Sequence, residues 1–440
     1  MSPSVPSIFG WIALERNTVA LYLAALTAVV LALRGIWFRT ASKIPLPPGP
    51  RGLPLLGNLF DIPRQSAWQT FAAWSKDYGD VVRLRILGRS IILLNSAEAT
   101  SDLLEDRFGI YSDRPDFPLM NMVGHDKWNF GFMPYGKKWR ALRRLFSSKH
   151  ASPAALHIFY DSQRAAMGRL LQNLLRDPEG FSEHLRLRSG QLIIDVTYGI
   201  MIESVEDPLL KTAEAVMDVT SVALSPPMWL INPSAIMQFI PKWLGGSAVS
   251  LRLQRWRQDV ENLRNVAFHT CKERFSKGVA KPSYTASLLQ ELAPEGGSSE
   301  EDMIRDTAAV AYGGIPHLLR EDDVYRGYHL PKGSIVMGNV WGITHDPAKY
   351  PNPSAFKPER YLAADGSFDC STNDPSRYVF GFGRRVCPGR FLAEDLTWLT
   401  VAQFLAVMNV TIPAGGAQPK AEFLSGALSY VCVQKLCAID

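Results

Sequence analysis

The stretch Phe380-Gly381-Phe382-Gly383-Arg384-Arg385-Val386-Cys387-Pro388-Gly389 constrains this chain more than any other. Gly381 and Gly383 permit turns that a side chain would block, so amide N–H groups can gather around one sulfur. The run Arg390-Phe391-Leu392-Ala393-Glu394-Asp395-Leu396 then reads as a helix, whose positive end lies beside the same atom. Arg384 and Arg385 add full positive charge. The setting favours a thiolate at Cys387.

Such a thiolate acts as a nucleophile, as a zinc ligand or as the axial ligand of a haem. Zinc is disfavoured, because the five cysteines (Cys271, Cys370, Cys387, Cys432, Cys437) form no C-x-x-C and the histidines no H-x-x-x-H. A nucleophile needs a base beside it, and no sequence feature supplies one. The sparse cysteines suit a reducing compartment. A net charge of +5, with no block of like charges, argues against a nucleic-acid partner.

Ahead of the loop, the chain divides by composition. Thr18 to Leu33 carries no charge, and Arg34 followed by Ile36-Trp37-Phe38 suits a membrane interface. Residues 18–38 are therefore expected to be a transmembrane anchor. A cleaved signal peptide is the competing reading, but no A-x-A site follows. Arg34, Arg39 and Lys43 lie behind the span, which leaves residues 1–17 as a lumenal tail and the body in the cytosol. Residues 39–50 end in Pro45-Leu46-Pro47-Pro48-Gly49-Pro50, a stiff hinge. The rest, 51–440, is expected to be one domain.

Within that domain, Val81–Ile86 and Ser90–Asn95 read as a β-hairpin, and Ala97–Arg107 as a helix capped by Ser96. Most of Ala141 to Phe275 is helical in pattern, with breaks at Pro226-Pro227, Asn232-Pro233 and Gly245-Gly246. The fold class is mainly α with a small β region. Trp139 and Arg143 stand four apart, on one face of a helix, where an indole N–H and a guanidinium make an anion clamp. A solvated basic helix is the plainer reading of the same residues.

Phe380, Gly383, Arg385, Cys387 and Gly389 match F-x-x-G-x-R-x-C-x-G, and the ten residues resemble the haem-binding loop of the cytochrome P-450 family. The resemblance implies haem b, with iron bound axially by Cys387 and a propionate held by Arg385. Trp139 and Arg143 resemble the family's W-x-x-x-R helix, which holds a propionate. Phe356-Lys357-Pro358-Glu359-Arg360-Tyr361 resembles its P-E-R-F stretch. Ile315-Pro316-His317, with Asp323-Val324 and Leu330-Pro331-Lys332-Gly333, resembles a hairpin on the haem's proximal edge. His317 would donate to a propionate there, or is a satisfied structural histidine.

The resemblance breaks after Asp306-Thr307-Ala308-Ala309-Val310-Ala311-Tyr312-Gly313-Gly314, which looks like the first half of the family's central helix. The family follows small residue and glycine with an acid–threonine pair that relays protons. Here Ile315-Pro316-His317 follows at once, leaving no such catalytic pair and no E-x-x-R helix. Arg360 would lack its partners, and a buried unpaired guanidinium is costly, so its loop should rearrange or admit water. A contiguous block is expected to be missing at 314/315, so the P-450 fold is incomplete.

The resemblance implies a fungal-type monooxygenase of the endoplasmic reticulum membrane. It would insert one atom of O₂ into an apolar organic substrate, in secondary metabolism. Electrons would come from NADPH through a flavoprotein, NADPH–cytochrome reductase, docking near Cys387 where Arg384, Arg390, Lys137 and Lys138 suit an acidic surface. The chain is expected to be a monomer. Pocket walls would come from the segment before the Trp139 helix and from Val216 to Leu244. The alternative is a non-catalytic truncated form, from splicing or a gene-model artefact. A cysteine-nucleophile enzyme on a membrane tether is a third reading, in which the W-x-x-x-R helix has no role.

Overall fold

Apolar and basic residues mix along Val81–Ile86 (β1), and Arg89–Leu94 (β2) ends in four apolar ones. The two strands pair antiparallel, from Val81 opposite Leu94 to Ile86 opposite Arg89. Leu87 and Gly88 alone join them, with φ of 48° and 83°, the left-handed pair that a two-residue hairpin requires. The expected hairpin is present. The structure, a computed structural model, describes residues 27, 44–63, 65–150, 153–224, 246–292, 297–310, 315–369, 374–409, 422–423 and 431–432.

Later in the chain come β3 (His317–Leu318), β4 (Asp323–Tyr325), β5 (Tyr328–Leu330) and β6 (Ile335–Gly338). One sheet has the order β1-β2-β6-β3, with β2 and β6 parallel and β6 and β3 antiparallel. Strands β4 and β5 pair with each other and belong to a separate small unit, in which the His329 amide donates to the Pro45 carbonyl at 2.8 Å. His317 is therefore on the larger sheet rather than in a hairpin. Everything below concerns the larger unit, Pro48–Asp322 with Pro331 onward.

Its helices are α1 (Ala67–Tyr78), α2 (Ala97–Thr100), α3 (Pro118–Val123), α4 (Lys137–His150), α5 (Tyr160–Arg176), α6 (Phe181–Tyr198), α7 (Pro208–Leu224), α8 (Gly246–Ser276), α9 (Tyr284–Glu291), α10 (Ser298–Ala308), α11 (Val340–Thr344) and α12 (Arg390–Val407). The Ser96 side chain accepts from the Ala99 amide at the start of α2, as its sequence position predicts. Helix α2 runs on as a π-helical turn, Ser101–Asp106. A mainly helical body with a small sheet is the observed architecture. The breaks expected at Pro226-Pro227 and Asn232-Pro233 fall outside the described residues, as does Gly245, while Gly246 opens α8. So does the 18–38 segment, apart from Thr27, and among the described residues no helix is long and apolar enough to cross a membrane.

Two cores hold the unit together. The first packs the sheet against α3, α7, α8 and the loop carrying Trp128 and Phe132. Its strand residues Val82, Leu84 and Ile86 are fully buried, each contributing about 1.5–3 kcal/mol. The second joins α5, α6, α8, α9 and α10. Polar groups lock α10 into it: Arg264 of α8 pairs with Asp306 at 2.5 Å, and the Tyr284 hydroxyl of α9 donates to Thr307 at 2.7 Å. Burial pushes the Asp306 carboxyl up, and the Arg264 bond opposes it.

Arg360 corrects an expectation. It lies in the turn Pro358–Tyr361, half-buried, and donates to the carbonyls of Pro351, Asn352, Ala355 and Lys357 at 3.1–3.3 Å. Its own loop folds around it, so the guanidinium is neither deeply buried nor unpaired.

Helix α12 is apolar on two faces. Phe391, Leu392 and Leu396 pack against the second core, and Phe404 against a cluster of α5 residues. Trp398, Val401, Leu405 and Val407 point outward, 53–72% exposed, and no residue of the helix is fully buried. A helix apolar all round is normally enclosed. This one is covered on one side. Trp398→Lys with Leu405→Lys should therefore shift unfolding free energy by less than about 0.5 kcal/mol in a denaturant melt and raise solubility, whereas Leu396→Lys should unfold the chain; equal damage from both would show that the outer face is packed.

Candidate functional site

The cysteine loop is built by backbone geometry. A 3₁₀ turn spans Gly383–Arg385, and the Cys387 amide donates to the Phe380 carbonyl at 2.8 Å, closing the loop on itself. Gly383 has φ of 55°, and a Cβ there would stand 2.0 Å from the Leu104 carbonyl oxygen. The loop thus presses against the π-helical turn closely enough to exclude any side chain. Buried Phe382 anchors it from the other side, over Gly338, where a Cβ would come within 2.7 Å of the phenyl ring. Phe380 is half-buried and Cys387 exposed. A Cβ at Gly389 would meet the sulfur at 4.0 Å, so glycine leaves that side of it open.

Arg385 points the other way, into the protein, 8% exposed. Its Nε donates to the Ser112 carbonyl at 2.8 Å, Nη1 to Phe130 at 3.3 Å and Nη2 to Met133 at 2.8 Å. The guanidinium also lies over the Trp139 ring at 4.3 Å, a cation–π contact strengthened by the loss of water. Helix α4 brings Arg143 to the same place, where its Nη2 donates to the Val386 carbonyl at 2.5 Å. Trp139 and Arg143, read from their spacing as neighbours on one helix face, do converge on the loop. Trp139 is buried, which removes the solvated-helix reading for it.

His317 is buried, and its Nδ1 donates to the Tyr111 carbonyl at 2.9 Å. Burial lowers its pKa to about 3, with Arg114 and Arg385 adding to the effect. The ring is neutral, with an acceptor at Nε2. Burial likewise lowers Arg385 to about 10, and lowers Arg143, where the nearby Cys387 opposes it.

Arg114 was not legible as a site residue. It is buried, donating to Pro316 at 2.9 Å and to Gly131 at 3.3 Å, and burial, Arg385 and Arg143 all push its pKa well down. Asp113 opposes that shift. Its carboxylate accepts the amides of Arg114 and Tyr135 at 3.0 and 2.9 Å and faces Arg320 at 3.6 Å. The signal available was a charged pair, Asp113-Arg114, set between apolar runs. Three guanidiniums facing one carboxylate is a deficit of negative charge in a place that repels water.

A sequence profile of the cytochrome P450 family matches residues 47–314 and 307–431, which takes in every residue just described. The chain belongs to the cytochrome P450 family. It is 31% identical to tryptamine 4-monooxygenase of Psilocybe cyanescens, over 88% of this chain and 91% of that protein. It is 32% identical to cytochrome P450 monooxygenase 98 of Postia placenta, over 88% of each. It is also 32% identical to cytochrome P450 monooxygenase COX2 of Coprinopsis cinerea, over 91% of this chain and 88% of that one. These alignments run to 465, 462 and 472 positions, more than the 440 residues of this P450. The relatives therefore carry residues with no counterpart here. Membership makes this P450 an oxidoreductase of the monooxygenase type, with haem as the family's cofactor.

Two measurements check the geometry. Gly383→Ala should cost about 2–4 kcal/mol in a denaturant melt, from backbone strain plus displacement of Leu104, while Gly381→Ala, whose Cβ meets nothing closer than 4.0 Å, should cost about 1 kcal/mol. Buried His125 (pKa about 4) and His317 (about 3) stay neutral while the unfolded chain protonates below about 6.5. Stability should then fall as pH drops from 6.5, by about 2 kcal/mol per histidine at pH 5, and His317→Gln should reduce that slope.

Proposed function

We propose that this chain is a haem-thiolate monooxygenase acting on an apolar organic substrate, in secondary metabolism, at the endoplasmic reticulum membrane. The observation that carries this is the opposite orientation of neighbours on one loop: Cys387 exposes its sulfur while Arg385, two residues away, enters a buried cluster short of negative charge. That donor set fits haem b. A porphyrin pairs a flat apolar body with carboxylates, and the guanidiniums ask for the carboxylates.

Bound haem would supply activation of O₂, one atom passing to the substrate. Cys387 would ligate the iron as thiolate and donate electron density to it. Arg385 spends three of its five N–H donors on carbonyls and Arg143 one on Val386, so both retain donors for propionates. Trp139 holds Arg385 in place from beneath. His317, neutral without a ligand, would join them only if a propionate beside it drew a proton onto Nε2. Gly383, Phe380 and Gly389 shape the loop. Electrons would come from NADPH through a reductase at the surface around Cys387, where Arg384 is exposed with Lys137 and Lys138. Residues 18–38 would anchor the chain and 39–50 set its height above the bilayer.

A second reading, a truncated non-catalytic form, is favoured by the bare face of α12. Its exposed Trp398, Val401, Leu405 and Val407 are what a missing packing partner would leave. The family match restarts at residue 307 after reaching 314, and Gly314 meets Ile315-Pro316 with no acid–threonine pair. Asp306 and Thr307 do not substitute, since they are committed to Arg264 and Tyr284. In this reading a segment between positions 314 and 315 belongs to a longer product.

The deciding experiment is a spectrum of the full chain in detergent, reduced and treated with carbon monoxide. A red-shifted Soret band that Cys387→Ala removes is the result expected of the monooxygenase. Lack of any haem band, together with a transcript that is longer across the Gly314–Ile315 junction, would select the truncated form.

A further inference from the structure

The loop that passes over Arg385 carries something more. Phe130, Gly131 and Met133 give carbonyls to Arg385 and Arg114. A few residues earlier, His125 and Trp128 enter the first core, 2% and 1% exposed. They stand among Phe117, Val123, Phe132, Val219 and Val260, all apolar. The two rings lie 5.1 Å apart, inclined by 31°. Among the described residues neither the His125 Nε2 nor the Trp128 Nε1 has a hydrogen-bond partner.

The identity of the missing partner follows from the neighbours. The Gly131 amide donates to Asn129 Oδ1 at 3.0 Å, which turns the Asn129 amide nitrogen toward His125 Nδ1 at 3.1 Å. Nδ1 is thus the acceptor, and the neutral ring carries its proton on Nε2. An indole nitrogen only donates. Among the described residues these two buried N–H groups, on rings 5.1 Å apart, find no acceptor, whereas buried His317 has the Tyr111 carbonyl. Buried donors are nearly always satisfied, and nothing in the heme-binding scaffold uses this pair. A donor-bearing ligand would leave both unmet. A cation would also meet Arg264, whose guanidinium lies 6.0 Å over the Trp128 ring.

We propose that His125 Nε2–H and Trp128 Nε1–H recognise a carbonyl oxygen on a neutral, otherwise apolar substrate, and so help set which molecules this enzyme accepts. This rests on the monooxygenase reading, because it takes the apolar cluster bordered by that loop as the substrate's seat. The loop ties recognition at one end to Arg385 at the other.

The test uses a matched pair, 1-indanone and indane, equal in ring size and differing in one carbonyl. Their dissociation constants are measured on the full chain in detergent by saturation-transfer NMR, which needs no haem signal. The ketone should bind about tenfold tighter. Trp128→Phe and His125→Phe should each remove most of that advantage and leave indane unchanged, while His125→Gln, which keeps an N–H, should retain more of it. Thermal melts accompany each variant, so that binding is compared only among variants that are folded at the temperature of measurement. Equal binding of the two ligands by the native chain overturns the proposal, whatever the variants do; so does an equal loss of both ligands in folded variants. The carbon monoxide spectrum is scored separately. A missing haem band with the ketone preference intact would sink the monooxygenase reading and leave the donor pair standing.

Discussion

The burial of one guanidinium organises this molecule. Arg385 leaves the cysteine loop and takes carbonyls from three places on a distant segment, Ser112, Phe130 and Met133, beneath which Trp139 supplies a ring. Charge-assisted bonds in a site without water are strong and directional. They join a segment near residue 120, a helix near 140 and a loop near 385 into one piece. A lysine could not do this, since its compact ammonium has neither the planar fork nor the stacking face.

Much of that arrangement was legible from the chain, and the reason is spacing. The hairpin announced itself through strand composition and a two-residue turn, and Trp139 with Arg143 through their separation on a helix. The loop was legible because glycine, arginine and cysteine at fixed intervals leave few alternatives. Arg114 was hidden because its role depends on Arg385 and Pro316, both over 200 residues away. Arg360 was misjudged for a related reason. Its loss of distant partners could be counted from the sequence, but the carbonyls of Pro351, Asn352 and Ala355 that replaced them depend on how a short irregular loop closes. Acceptors supplied by backbone carbonyls leave no mark on side-chain patterns.

The family relationship and the physical reading meet at the same atoms. Composition narrowed the ligand of Cys387 without settling it, whereas the profile match across 47–431 places the chain among haem enzymes. What the structure adds is the electrostatic reason for the neighbouring residues. Burial lowers the pKa of Arg114, Arg143 and Arg385, with Arg385 and Arg143 adding to the effect at Arg114 and Arg143 adding to it at Arg385, and a ligand that brings negative charge would favour the charged form of all three. The same cluster would be poorly suited to a neutral or cationic cofactor.

The sheet has a consequence for how the chain reaches this state. Strand β2 pairs in parallel with β6, so Ile91 meets Ile335 across most of the chain. Joining such ends demands that the intervening helices collapse first, which makes the sheet a late event in folding. Yet the entropy of closing a flexible loop grows only with the logarithm of its length. Residues gained or lost between α10 and β3 would thus alter the cost of closure little. The register of β2, β6 and β3 is set by their own side chains, and it outlives changes in the span between them.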